Sequence, residues 1–195
     1  ASGAITGGKP VIVNTDGTVG ITTTQSTVTQ SVGSQVTFEN ATTAFTSSVF
    51  DYNAGKIVIA YEDDANSDYG TAIVGTVSGT SISFGSAAIF ESAAVQYVAA
   101  AFDSNSNKVV ISYVDQGNSS YGTAVVATVS GTSISFGTPV VYESAATAHS
   151  NITFDSTNNK IVIAYMDEGN SFYGTAIVGT VSGTGISFGS PVVYE

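Results

Sequence analysis

The chain has 195 residues, with fifteen carboxylates against four lysines and no arginine. The net charge of −11 at pH 7 excludes nucleic acid and anionic membrane as partners, because phosphate binding needs cationic donors. Cysteine is absent, so stability rests on packing and strand pairing, and no apolar run approaches the ~18 residues of a membrane helix.

The chain repeats itself. Phe50-Asp51 to Thr71, Phe102-Asp103 to Thr123 and Phe154-Asp155 to Thr175 are copies of one stretch, each 52 residues after the last. Repetition at this period marks an array of one supersecondary unit. The reading is a single repeat domain over 1–195, with an incomplete unit at 1–39 and full units at 40–91, 92–143 and 144–195. In the opening unit Val11-Ile12-Val13 reads as a strand, and Asn14-Thr15-Asp16-Gly17 as a tight hairpin turn needing a left-handed residue. Gly33–Glu39 aligns with Gly85–Glu91, Gly137–Glu143 and Gly189–Glu195.

Each full unit reads as four strands. A short first strand ends at Phe-Asp (Phe45–Phe50, Tyr97–Phe102, His149–Phe154), and an Asn/Ser-rich turn leads to a second such as Lys160–Tyr165. A longer loop leads to a third strand such as Thr175–Val181, and Ser-Gly-Thr turns into a fourth such as Ile186–Tyr194. The middle strands are continuously apolar, as strands buried on both faces are, while the fourth alternates. No window has helical periodicity. The expected fold is all-β, a β-propeller of four-stranded antiparallel blades, about four per chain, each covered by its neighbours. Strands left over at the open ends favour association between chains.

The unit Phe-Asp-x-x-x-x-Lys-Val-Val-Ile-x-Tyr, with Gly-Asn-Ser-x-Tyr-Gly-Thr-Ala, Thr-Val-Ser-Gly-Thr-Ser-Ile-Ser-Phe-Gly and Val-Val-Tyr-Glu after it, resembles repeat arrays in structural and tail-fibre proteins of marine bacteriophages. The opening stretch from Gly3 to Val19 looks like the start of such proteins. More loosely, the unit is similar to blades of sialidase-like propellers, but their Asp-box needs a Trp and their site needs arginines, and both residue types are missing. The resemblance therefore implies a virion surface or extracellular adhesion role and no sialidase chemistry.

Two sets of residues are candidate ligand contacts. Phe45, Tyr97 and His149 occupy one position in the three copies, where aromatic rings at a channel mouth would stack on a sugar face. Packing between neighbouring units is the competing account of those rings, and it weighs more because most aromatics are core. Asp63, Asp115 and Asp167, with Asn66, Asn118 and Asn170, recur in the loop after the second strand. They offer oxygens to a hydroxylated ligand or to Ca²⁺, but Asp and Asn also build turns by bonding their own backbone, and that reading outweighs a cation. No cofactor and no catalytic residue are assigned. A nucleophile triad, phosphate loop and zinc spacing are all missing from the sequence, and a lone His is no catalytic signal. The expected function is non-enzymatic: a virion-associated structural or adhesion protein that displays weak sites on a rigid scaffold and contacts host-surface glycan, itself or other virion proteins. The rivals are a glycoside-active propeller enzyme and a purely architectural assembly protein.

Overall fold

The computed structural model describes residues 11–21 and 32–195. Two compact units divide the chain between Val32 and Gly33. In the first, β1 (Val11–Val13) and β2 (Val19–Ile21) form the expected antiparallel hairpin. Gly17 takes the left-handed backbone (φ 79°), and Asp16 Oδ1 accepts from Thr18 N at 2.9 Å to fix the turn. Residues 1–10 and 22–31 lie outside the described residues, and with them residues 3–10 of the opening stretch that carries the tail-fibre resemblance.

The second unit is all-β, as read from the sequence. Its strands are β3 (Thr43–Asp51), β4 (Lys56–Asp63), β5 (Tyr69–Ser78), β6 (Ser81–Phe84), β7 (Ala88–Asp103), β8 (Lys108–Asp115) and β9 (Tyr121–Ser130). They continue through β10 (Ser133–Phe136), β11 (Val140–Asp155), β12 (Lys160–Asp167), β13 (Tyr173–Ser182), β14 (Gly185–Phe188) and β15 (Val192–Val193). Helical turns among the described residues are three single 3-10 turns, at Asp64–Asn66, Gln116–Asn118 and Glu168–Asn170, and no helix there is long and apolar enough to cross a membrane.

Two features depart from expectation. The expected fourth strand is split, its start forming β6, β10 or β14, and its end is not separated by a loop from the first strand of the next unit. They are one strand, β7 or β11, whose first half pairs with β5 or β9 and whose second half pairs with β8 or β12. Ser92, Ala93 and Ala94 give the chain no Gly or Pro at which to break, so pairing passes from one partner to the other through bulges. The second departure is closure. The strands form one open thirteen-stranded antiparallel sheet whose path ends at β3 and β14, and not a closed propeller of about four blades.

The open path folds on itself because β7 and β11 each belong to two groups. Layer one holds β3, β4, β5, β6 and the start of β7; layer two runs from the rest of β7 through β8, β9 and β10 to the start of β11; layer three holds the remainder. Val58, Ala60, Ala72 and Val74 of layer one pack with Val109, Ile111, Tyr113 and Val125 of layer two. The opposite face of layer two, Val110, Ala124 and Val126, packs with Ile161, Ile163, Tyr165 and Ile177 of layer three. Two-sided burial thus holds for the middle layer, where every residue from Val109 to Asp115 is buried. In layer three the same apolar sequence alternates, with Ile161, Ile163 and Tyr165 buried and Val162, Ala164 and Met166 partly exposed, because no layer covers its far side.

The segment from Gly33 to Glu39 belongs to this array although it pairs in no strand. Phe38 packs on Tyr61 at 5.2 Å, as Phe90 packs on Tyr113 and Tyr142 on Tyr165 at 5.1 and 5.2 Å. Glu39, Glu91 and Glu143 accept from those same tyrosine hydroxyls at 3.4, 3.0 and 3.0 Å. It therefore occupies over layer one the position that each fourth strand occupies over the next layer.

Candidate functional site

The site is built where the first strand of each layer begins. There β3, β7 and β11 carry a bulge: the register with β4, β8 and β12 shifts between Ala44 and Ser47, Gln96 and Ala99, and Ala148 and Asn151. The residues within it, Phe45, Tyr97 and His149, have φ of 45°, 49° and 53°. Left-handed backbone is uncommon for any residue with a Cβ and costs roughly 1–2 kcal/mol each. Three copies retain it with an aromatic or imidazole ring and never a glycine, so the ring is held at the cost of the strain.

The strain places the rings in a row. Phe45 and Tyr97 lie 5.1 Å apart between centroids, and Tyr97 and His149 4.8 Å apart, both tilted. Tyr97 is half-buried between two exposed neighbours. Two hydrogen bonds stitch β3, β7 and β11 together beside the row: Ala100 N donates to Ser47 Oγ at 3.1 Å, and Ser150 Oγ donates to the Tyr97 carbonyl at 2.9 Å. Gln96, the residue before Tyr97, faces Gln116 across an amide hydrogen bond of 3.3 Å. Rings interleaved with amides and hydroxyls suit a ligand that has an apolar face and hydroxyl edges.

The other nominated residues lie at the ends of β4, β8 and β12 and in the loops after them. Asp63, Asp115 and Asp167 are buried under their own loops. Asp115 Oδ1 accepts from Asn118 N, and Asp167 Oδ1 from Asn170 N, both at 3.1 Å, so these carboxylates cap the 3-10 turns. Of Asn118 and Asn170 it is thus the backbone that serves the turn. Asp63 Oδ1 is buried without a partner, and burial first, then Glu39, holds that carboxyl above its ordinary range. Asn66 closes the first copy's turn, half-buried. Asp51, Asp103 and Asp155 each accept two backbone N–H bonds and so tie the turn after the first strand.

One cluster escaped the sequence reading. Carboxylate oxygens of Glu62, Asp64 and Asp68 lie within 4.8 Å of one another. Glu62 pairs with Ala44, next to Phe45, so the cluster adjoins one end of the ring row. Burial, and after it the charges of Asp68 and Asp64, push the Glu62 carboxyl up to about 7. The later copies place Val114, Gln116 and Ser120, and Met166, Glu168 and Phe172, at these positions, so the cluster exists once. Glu62, Asp63 and Asp64 are contiguous, but the sequence does not show that Asp68, four residues beyond Asp64, joins them. Glu62 and Asp64 both flank Asp63, and the loop folds Asp68 back onto them. Such an oxygen set has the hardness a divalent cation prefers.

Toward the far ends of β3, β7 and β11, Phe50, Phe102 and Phe154 with Tyr52 line an open groove of about 490 Å³. Comparison with protein-family models, with curated proteins and with solved structures gives no match for this chain.

Proposed function

We propose that the chain is a non-enzymatic structural or adhesion protein of a virion or similar extracellular particle, and that the row Phe45–Tyr97–His149 is its contact to cell-surface glycan. The observation that carries the reading is the strained left-handed backbone repeated under three adjacent rings. Packing alone does not call for it, since a glycine at the same φ would relieve the strain. Sugars present apolar faces to aromatic rings, and Gln96 and Asn151 on the same strands, with Gln116 of the adjoining 3-10 turn, supply hydrogen-bonding groups. Each contact is weak, and a rigid repeating scaffold turns weak contacts into avidity when many chains are displayed. The virion setting rests on the resemblance of the repeat to tail-fibre arrays.

Glycan-array binding of the chain, compared with Tyr97→Ala, tests the reading. Loss of about tenfold or more in affinity, the size expected for one stacking ring, supports it. Unchanged binding by the variant, or no binding to any glycan, sinks it. The raised Glu62 carboxyl beside Asp64 and Asp68 favours a second reading, glycoside hydrolysis with Glu62 as general acid. Sugar release that Glu62→Gln abolishes would establish that alternative in place of simple adhesion.

A further inference from the structure

Among the described residues the two interfaces between layers are copies of one contact, and each half of that contact is exposed once more, one on layer three and one on layer one. On layer two the face turned to layer three is sealed; on layer three the equivalent face is bare. Val126 is 1% exposed and its counterpart Val178 46%. Tyr142 is 6% exposed beneath Tyr165, while its counterpart Tyr194 is 63% exposed with no tyrosine over it. A depression of about 210 Å³ lies there between His149, Ala164, Met166, Phe172 and Tyr194. The complementary half is open on layer one, where Phe50 is 39% exposed against 8% for Phe102, and Ile57 and Ile59 are partly exposed where Val109 and Ile111 are buried.

We propose that the bare face of layer three docks on the outer face of layer one of a second copy of this chain, repeating the contact that already joins layers one to two and two to three. Tyr194 and Glu195 then take the places over the partner copy's Tyr61 that Phe38 and Glu39 hold within one chain. The exchange is cheap for the displaced segment, since Gly33–Phe38 pairs in no strand, whereas Tyr194 arrives on a sheet whose β15 is hydrogen-bonded to β13. Asn151 fits the same scheme. It stands at the position of Ser47, whose hydroxyl accepts the Ala100 amide of the next layer, so its side chain meets the amide of Ser48 in the incoming copy. Such a contact is heterologous and builds a ring or a linear stack according to the rotation it applies.

Sedimentation velocity of the full chain across concentration and salt tests this. Association is expected, and it strengthens as salt rises, because the contact is apolar and the net charge of −11 opposes it. Val178→Glu and Phe50→Glu each abolish assembly, while Ser130→Glu, on an exposed turn away from both faces, leaves it unchanged. Mixing the first two variants restores a dimer and nothing larger, since each retains one intact half. Phe38→Ala, which frees Tyr61, raises the association constant about tenfold. Circular dichroism checks that each variant is folded, as is expected for exposed Phe50, Ser130 and Val178 and for half-buried Phe38, which pairs in no strand. A single-chain mass under every condition, Phe38→Ala included, overturns the proposal. So does assembly that survives both Val178→Glu and Phe50→Glu, or a mixture that fails to restore the dimer.

Discussion

The Tyr165 hydroxyl donates to Glu143 Oε2 at 3.0 Å, joining the middle strand of layer three to the strand that crosses over from layer two. Burial first, then the hydrogen bond and charge of Glu143, hold that phenol well above its usual range, so it stays a donor. Tyr113 and Glu91 repeat the bond, and Tyr61 and Glu39 form a longer version at 3.4 Å. Removing a hydrogen bond to a charged group costs about 1.5–3 kcal/mol. Tyr113→Phe and Tyr165→Phe are expected to lose stability toward the lower end of that range in urea unfolding, and Tyr61→Phe clearly less. Because these phenols ionise in the unfolded chain near pH 10 but resist ionisation when folded, wild-type stability falls above that pH.

Gly122 and Gly174 occupy one position in successive layers. A Cβ on Gly122 would clash with the Tyr142 ring, and one on Gly174 would meet the Tyr194 ring at 2.6 Å. Tyr142 is locked beneath layer three, whereas Tyr194 is free to move aside. Gly122→Ala is therefore expected to cost about 1–3 kcal/mol, the price of overpacking, and Gly174→Ala to be near neutral by thermal melts. Equal losses for the two would contradict the layer order.

Glu62 gives a pH signature. Its carboxyl is raised from 4.5 to about 7 in the fold, so between those values the folded chain binds more protons than the unfolded one. Stability drawn from this group is therefore present at low pH and lost as pH rises through 7. Glu62→Gln should flatten the decline in melting temperature between pH 5 and pH 8, pH values set about the two ends of the raised range. A decline identical to that of wild type would count against the cluster.

His149 separates strain from packing. His149→Gly relieves a left-handed residue but gives up one ring contact, two terms of similar size, so stability should stay within about 1 kcal/mol of wild type. Affinity for glycan should fall in the same variant. A large destabilisation would show that the ring serves the core instead.

Strand order, turn chemistry and the period were legible in the sequence because each has a local cause. Asp51, Asp103 and Asp155 sit at fixed offsets before turns, and alternation or its absence reports burial along one strand. Closure was not legible. Val110 and Val162 are the same residue in the same repeat, yet one is sealed and the other partly exposed, since burial depends on which layer comes next and not on the strand itself. The ring row was half legible: equal positions for Phe45, Tyr97 and His149 followed from the period, but the bulge that turns their backbone left-handed has no sequence signature when glycine is absent. The run Ser92–Gln96, between the expected end of one strand at Glu91 and the start of the next at Tyr97, read as a loop because its residues are mostly small, and long-range pairing on both sides made it strand.

β7 and β11 each have one end in one sheet group and the other end in the next, with no slack between. No layer can then swing on a hinge or come away alone, because detaching it tears ladder bonds in its neighbour. Pulled from its ends, such an array should resist as one body and fail in a few large steps, a mechanical trait suited to a part that bears load.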